Sequence, residues 1–454
     1  MRTWMAPIVL CLAFLARLAS AAQCSDQPAE DPRLAGRIAT ARSFVQLLTK
    51  GDFAAAHERF ADNLKGMLTP QDLGKLLTAP LQRAGAFRQQ LAVKTRGDAV
   101  FLTDELTGGY VIQYAVVFDD EDRVVGFGPT PGEPASFPPP EYARPDRFRE
   151  QSVTIGSGEW QSPGTLTRPV GDTSCPAVVL VPGSGELDRD ETIGPNKAFR
   201  DLAWGLGSRG IAVLRYEKRT RQHPKQWASI EGSATLKEEA VDDAFAAVSL
   251  LQQTPGVDAQ RVFVLGHSQG AFAAPRIAQL APSIAGIILL AGNSRPLEDV
   301  MLHQKMYLCD LHGRLYFEVE QLERMKAHVA KVEDPALSLS TPADELPGGG
   351  AFSAAYWLDL RGYHPADITA QLPQPVLVLR GENDWQITAE DFEGWRTALA
   401  GKRAAMLKQY PGLNHLFMPG VPRAEELDYA KADHVSETVI ADIADWIKKT
   451  ASTL

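Results

Sequence analysis

Apolar residues recur along this chain with two different periods, and the architecture should change where the period does. Between Arg37 and Leu48 they fall at helical spacing (Ile38, Ala41, Phe44, Val45, Leu48). Gly51-Asp52 interrupts, and Phe53 to Phe60 opens a second helical stretch. At Thr69-Pro70-Gln71-Asp72, Thr69 can cap a further helix whose first position Pro70 occupies. The period then falls to two. Phe87–Lys94, Ala99–Leu106 and Tyr110–Phe118 read as strands, and the acidic turn 119–122 leads into Arg123–Phe127. Helices followed by a curved antiparallel sheet describe a small α+β domain over residues 34–128, with no catalytic constellation visible in it. Residues 129–150 hold seven prolines, among them Pro138-Pro139-Pro140, and read as a linker.

From residue 151 to 454 the pattern alternates between short apolar runs and amphipathic stretches. An opening hairpin (Gln151–Ile155, Gly164–Arg168) precedes strands at Ala177–Val181, Ile211–Tyr216, Val262–Gly266, Gly286–Leu290 and Pro375–Arg380. Helical stretches such as Lys197–Gly207, Leu236–Gln252 and Gly270–Leu280 lie between most of them. Such alternation predicts an α/β fold: a mostly parallel sheet with helices on both faces. A longer interval, residues 295–370, separates the last two of these strands. Arg295–Leu308 and Arg314–Val332 read as helices within it, and Pro347-Gly348-Gly349-Gly350 as a break.

The 454 residues carry a net charge of -10 and no long basic run, which argues against nucleic-acid binding. At the N-terminus, Arg2, an apolar run from Met5 to Leu15 and Ala19-Ser20-Ala21 have the order of a secretory signal peptide over residues 1–22. The run is too short to span a bilayer core of about 30 Å, so no stable membrane anchor is expected. Gln23 before Cys24 does not fit a lipoprotein site. The expectation is export to the periplasm or the medium. Cys11 leaves with the signal. Cys24, Cys175 and Cys309 then allow at most one intramolecular disulfide, and the pairing stays open.

The most informative stretch is Arg261-Val-Phe-Val-Leu-Gly-His-Ser-Gln-Gly270, a buried strand running through Gly-His-Ser-Gln-Gly straight into a helix. A serine on such a turn is lifted clear of the sheet edge. The glycines two before and two after let strand and helix backbones approach. Ser268 is therefore the candidate nucleophile. A serine hydroxyl needs a base, and the base an orienting acid. Asp384 closes a strand-to-loop segment (Pro375 to Asp384), and His415 ends the next one (Met406 to His415). Both stand at the sheet edge that carries the serine, in the chain order Ser, acid, His. Glu382 is the competing acid. His434, after Asp433 at the start of the last helix, is the competing base. His267 reads as a packing or supporting residue. Two backbone N–H groups are needed to stabilise an oxyanion. Gln269, after the serine, supplies one. Ser184, in the loop Leu180-Val-Pro-Gly-Ser-Gly-Glu186, is the candidate for the other. Cys309, His312 and His303 are too few for a metal site, so no metal and no cofactor are expected.

These residues resemble an α/β-hydrolase from about 160 to 450. More narrowly, Pro182 to Glu191, Arg215-Tyr216 with Lys218-Arg219-Thr220, and Tyr356-Trp357-Leu358-Asp359 are similar to exported bacterial serine carboxylesterases related to serine aminopeptidases and dienelactone hydrolases. The resemblance implies a cystatin- or NTF2-like N-terminal domain without assigned role, and a cap formed by residues 295–370. Met301, Met306, Tyr307, Tyr356 and Trp357 become candidate pocket walls. Gln269 departs from the smaller or apolar residue of many such esterases, and the mechanism needs only its N–H. The function implied is hydrolysis of small or medium carboxylic esters through an acyl-enzyme, with a small-molecule ester as partner. The alternatives are an aminopeptidase or amidase, needing a cap carboxylate (Glu318, Glu320 or Asp359) for the substrate amine, and a non-catalytic binding protein. The N-terminal domain could serve core packing, recruitment of a polymer or a homodimer contact; sequence leaves these open.

Overall fold

The structure, a computed structural model, describes residues 32–171 and 174–452. The expected signal segment and Cys24 lie outside them. The chain opens with helices α1 (Pro32–Thr49), α2 (Phe53–His57), α3 (Asp62–Lys65) and α4 (Pro70–Ala84). Asp52 caps α2 through its carboxylate, and Thr69 and Asp72 close a reciprocal capping box on α4 with Pro70 at its first turn. Strands β1 (Phe87–Arg96), β2 (Ala99–Leu106), β3 (Val111–Phe118) and β4 (Val124–Pro131) form an antiparallel sheet in sequential order. Val100, Leu102, Ile112, Tyr114 and Val116 face the helices and form one core with Phe44, Leu48 and Leu73. The other face carries Ala99, Phe101 and Ala115, which are also buried.

β4 extends to Pro131, so the first prolines of the expected linker are strand residues. The remainder runs along the second domain rather than free of it. Arg200 donates to the carbonyls of Phe137 (3.1 Å) and Pro138 (3.0 Å).

Strands β5 (Phe148–Ile155) and β6 (Ser162–Pro169) form the antiparallel opening hairpin. β7 (Cys175–Val181) follows, then a two-residue ladder of β8 (Thr192–Ile193) and β9 (Asn196–Lys197). β10 (Ala212–Tyr216), β11 (Val257–His267), β12 (Gly286–Leu290), β13 (Val376–Gly381) and β14 (Ala405–Tyr410) complete an eight-stranded sheet in the order β14-β13-β12-β11-β7-β10-β6-β5. All neighbours from β14 to β10 are parallel. α5 (Ala198–Gly207) and the C-terminal α11 (Glu437–Ala451) cover one face. α6 (Asp242–Gln252), α7 (Gln269–Leu280) and α10 (Ala354–Leu360) cover the other. The cap helices are α8 (Leu297–Leu311) and α9 (Tyr316–Glu333).

The two domains share packing. Leu315, Phe317, Leu427 and Ala430 of the second domain join the core of the first. Arg83 on α4 holds Asp428 through two hydrogen bonds (2.9 and 3.0 Å) and reaches Glu425 at 3.3 Å. Ala432 N donates to Gly109 O at 3.0 Å. Cys175 and Cys309 are both free thiols. No helix among the described residues is long and apolar enough to cross a membrane.

Candidate active site

The end of β11 fixes the site. Ser268 has φ 52° and ψ -117°, the left-handed region that a non-glycine residue enters only under constraint. Its N–H donates to Leu290 O on the neighbouring β12 at 2.9 Å, and α7 begins at the next residue. The flanking glycines are required by contact. A Cβ on Gly266 would collide with the Gly270 carbonyl, and one on Gly270 with the carbonyls of Val181 and Pro182. The loop after β7 lies equally close: a Cβ on Gly183 would stand 3.3 Å from Ser268 Cβ. Ser184 follows Gly183 in that loop, and Gln269 is the first residue of α7.

His415 donates from Nδ1 to Asp384 Oδ2 at 2.8 Å, and both side chains are buried. Asp384 Oδ1 accepts from the amides of Gln386 (2.9 Å) and Ile387 (3.0 Å), so the carboxylate is held at both oxygens. With Nδ1 committed, Nε2 is the ring nitrogen available to a hydroxyl. The two loops are laced together. Asn383 N donates to Leu413 O at 2.8 Å, and Asn414 Oδ1 accepts from Leu416 and Met418 amides. Ser184, Ser268 and His415 line one cavity of about 1280 Å³. Glu382 is exposed and lies off this pair, while His434 bonds Asp201 (3.0 Å) at the foot of α11.

A model of the serine aminopeptidase family S33 matches residues 192–419. Esterase EstD of Thermotoga maritima is 34% identical over 410 residues, covering 89% of this chain and 94% of that protein. The chain belongs to the α/β-hydrolases. Among solved structures, Est1E from Butyrivibrio proteoclasticus is 14% identical (66% of this chain, 99% of that one, TM-score 0.43). The hyperthermophilic esterase from Pyrobaculum calidifontis is 17% identical (67% and 86%, TM-score 0.42).

The hydrolase carries a buried polar frame that sequence reasoning left out. His267 Nδ1 lies 3.0 Å from Glu191 Oε1, and Nε2 lies 3.0 Å from His415 O. Both partners offer acceptor oxygens, an arrangement that favours the doubly protonated ring. Burial alone would depress its pKa; the Glu191 carboxylate outweighs this and raises it. Glu191 also accepts from Gly183 N at 2.8 Å. One chain of bonds therefore ties the Ser184 loop, through Glu191 and His267, to the main chain of His415. A second frame sits under the serine. Lys218, 1% exposed, donates to Gly183 O (2.9 Å), Glu239 Oε1 (2.8 Å) and Gln269 Oε1 (2.9 Å). Gln269 Nε2 donates to Glu239 Oε2 and Tyr356 Oη, both at 2.9 Å. The Gln269 side chain is thus held in this frame, beyond the N–H for which the residue was singled out. Glu191 and Lys218 stand inside stretches that carried the family resemblance; nothing local in them announced a charge network.

Of the five expected pocket walls, Met301 lines the cavity. The other four do not. Met306 is 42% exposed on the outer side of α8. Tyr307 stacks on Trp385 with ring centroids 5.5 Å apart, and donates to Ala424 O at 2.7 Å, joining α8 to the loop after β13. Tyr356 is bound under the serine, and Trp357 is fully buried in the core beneath α7. His312, grouped with Cys309 and His303 in the sequence, lies instead between Glu318 (2.6 Å) and Glu425 (3.4 Å) on the cavity wall. Burial would lower its pKa; the two carboxylates more than reverse this, to about 9.

Proposed function

We propose that this α/β-hydrolase is a serine carboxylesterase with Ser268, His415 and Asp384 as its catalytic triad. Ser268 Oγ attacks the ester carbonyl carbon while His415 Nε2 takes its proton. The developing oxyanion is met by the amides of Gln269 and Ser184. Collapse expels the alcohol, protonated by His415, and leaves an acyl-enzyme. Water, deprotonated by His415, then attacks the acyl carbon and releases the acid and Ser268. Asp384 fixes the imidazole tautomer and stabilises its charged form. The observation that carries the reading is the strained backbone of Ser268 on the wall of a cavity also lined by His415, whose ring is bonded to Asp384. The esterase relative, similar along nearly its whole length, supports the ester as substrate.

An aminopeptidase would need a carboxylate free to hold the substrate ammonium. Glu318 is taken by His312 (2.6 Å), Asp359 by Arg276 (2.6 Å), and Glu320 is exposed beside Arg324. None of these three is free to hold a substrate ammonium, and the esterase relative supports the ester reading. The test is turnover of p-nitrophenyl esters from two to sixteen carbons, with aminoacyl-anilides in parallel. Ser268→Ala should lose roughly a million-fold in kcat. Full activity in that variant, or anilide cleavage without ester cleavage, would overturn the reading. Export is part of the proposal and rests on residues 1–22. Secreted protein should begin near Ala22 or Gln23, and a start at Met1 would refute it.

A further inference from the structure

We propose that the N-terminal domain builds the far wall of the substrate cavity, and that this wall holds the apolar arm of the ester and so sets chain-length preference. The proposal rests on Ser268 as the nucleophile for its catalytic consequence, though the wall itself does not.

A small antiparallel sheet normally has one face on its own core and one in water, which gives strands that alternate. β2 does not alternate. Seven of its eight residues are buried. Its even-numbered apolar residues pack on the domain's own helices, whereas Ala99, Phe101 and Ala115 cluster on the opposite face. That face looks into the cavity lined by Ser268 and His415, with Leu91, Ala92, Phe101 and Ala115 on its wall beside Thr103, Gln113 and the charged Lys94. At about 1280 Å³ the cavity exceeds the roughly 300–1,000 Å³ of most small-molecule sites, more room than a short ester fills. Leu91, Ala92, Phe101 and Ala115 make the N-terminal part of this lining largely apolar, so the occupant it fits is a hydrocarbon arm.

The wall is also held in place, which a surface that selects by length requires. The paired Arg83–Asp428 bonds and the Ala432–Gly109 bond fix one side of the junction. On another side Gly194 is pressed so closely on Pro131 of β4 that any Cβ would overlap it. Each methylene buried against this wall should raise kcat/KM by about fourfold until the cavity is filled.

The experiment compares dodecanoate with acetate p-nitrophenyl esters in the full chain, as a ratio of kcat/KM. A general loss of folded enzyme leaves that ratio untouched. Ala92→Trp narrows the wall and Gln113→Glu places a charge on it. Each should lower the ratio at least tenfold. Binding is read separately by titrating dodecanoate into Ser268→Ala. It should bind, and at least tenfold more weakly when Ala92→Trp or Gln113→Glu is added. Ester turnover with an unmoved ratio and unmoved binding would overturn the wall and leave the esterase standing. No ester turnover, with binding still weakened by the wall variants, would sustain the wall and remove the esterase.

Discussion

Lys218 offers the sharpest perturbation, because it touches both elements that carry the proposed oxyanion amides. Its three N–H bonds are filled by Gly183 O, Glu239 Oε1 and Gln269 Oε1 at 2.8–2.9 Å, with 1% of the residue exposed. Gly183 precedes Ser184, and Gln269 follows Ser268. Lys218→Met keeps much of the volume and removes the charge. The Glu239 carboxylate is then buried without its counter-ion, an imbalance that typically costs about 3–5 kcal/mol. In a domain of this size that lowers Tm on the order of 10 °C. The amides also lose their common tie, and misplacing an oxyanion donor costs about 10²–10³ in kcat. KM should stay within about threefold, since the cavity wall is unchanged. Adding Glu239→Gln removes the unpaired charge, so the double variant should regain most of the lost Tm. It should not regain kcat, because the link between the two loops is still missing. Thermal melts by circular dichroism and steady-state hydrolysis of p-nitrophenyl butyrate read the two quantities. A single variant with kcat within threefold of the parent, or a double variant that recovers kcat together with Tm, would refute the positioning role.

Two further outcomes follow from the same geometry. His312 titrates at about 9 when folded, against an ordinary value of 6.5. Its charged pairing with Glu318 and Glu425 therefore stabilises fully below pH 6.5 and is lost as pH rises toward 9, and His312→Gln should cost up to roughly 3 kcal/mol at pH 6. Melting curves across pH 6–10 check this, and a gap between parent and variant that stays constant would refute it. Gly270→Ala puts a methyl group against the Val181 and Pro182 carbonyls. It should leave little soluble protein and no ester turnover, whereas a soluble variant of normal Tm would show that the elbow tolerates bulk.

What could be read along the chain was local chemistry. The glycines around Ser268 are demanded by backbone contacts within a few residues and across one neighbouring strand, so the short motif carries nearly all of the information. Asp384 and His415 could be singled out because each stands in the loop that follows a strand, β13 or β14, at one sheet edge. The cap was harder. α8 turns Met301, Gln304, Lys305 and Leu308 to the cavity, a stripe at i, i+3, i+4 and i+7. Half of that stripe is polar. Choosing the apolar members of the helix as pocket walls therefore caught Met301 and missed the face. Met306 and Tyr307 lie on other sides of the same helix. Tyr356 and Trp357 look like pocket aromatics in sequence, but α10 is pressed against α7 and leaves them no cavity to face.

The buried charges were illegible for a different reason. Lys218, Glu239, Glu191 and His267 meet across β7, β10 and β11 and the loops after them, and no spacing along the chain encodes that meeting. The N-terminal sheet is an intermediate case. Ala99-Val100-Phe101-Leu102 sets four apolar residues in a row where a strand with one wet face would alternate. That run already states that something covers both sides of β2. The domain's own helices account for one side only. The other carries Ala99, Phe101 and Ala115, and through Phe101 and Ala115 it fronts the cavity lined by Ser268, which is why a domain without a catalytic residue of its own is proposed to belong to the site.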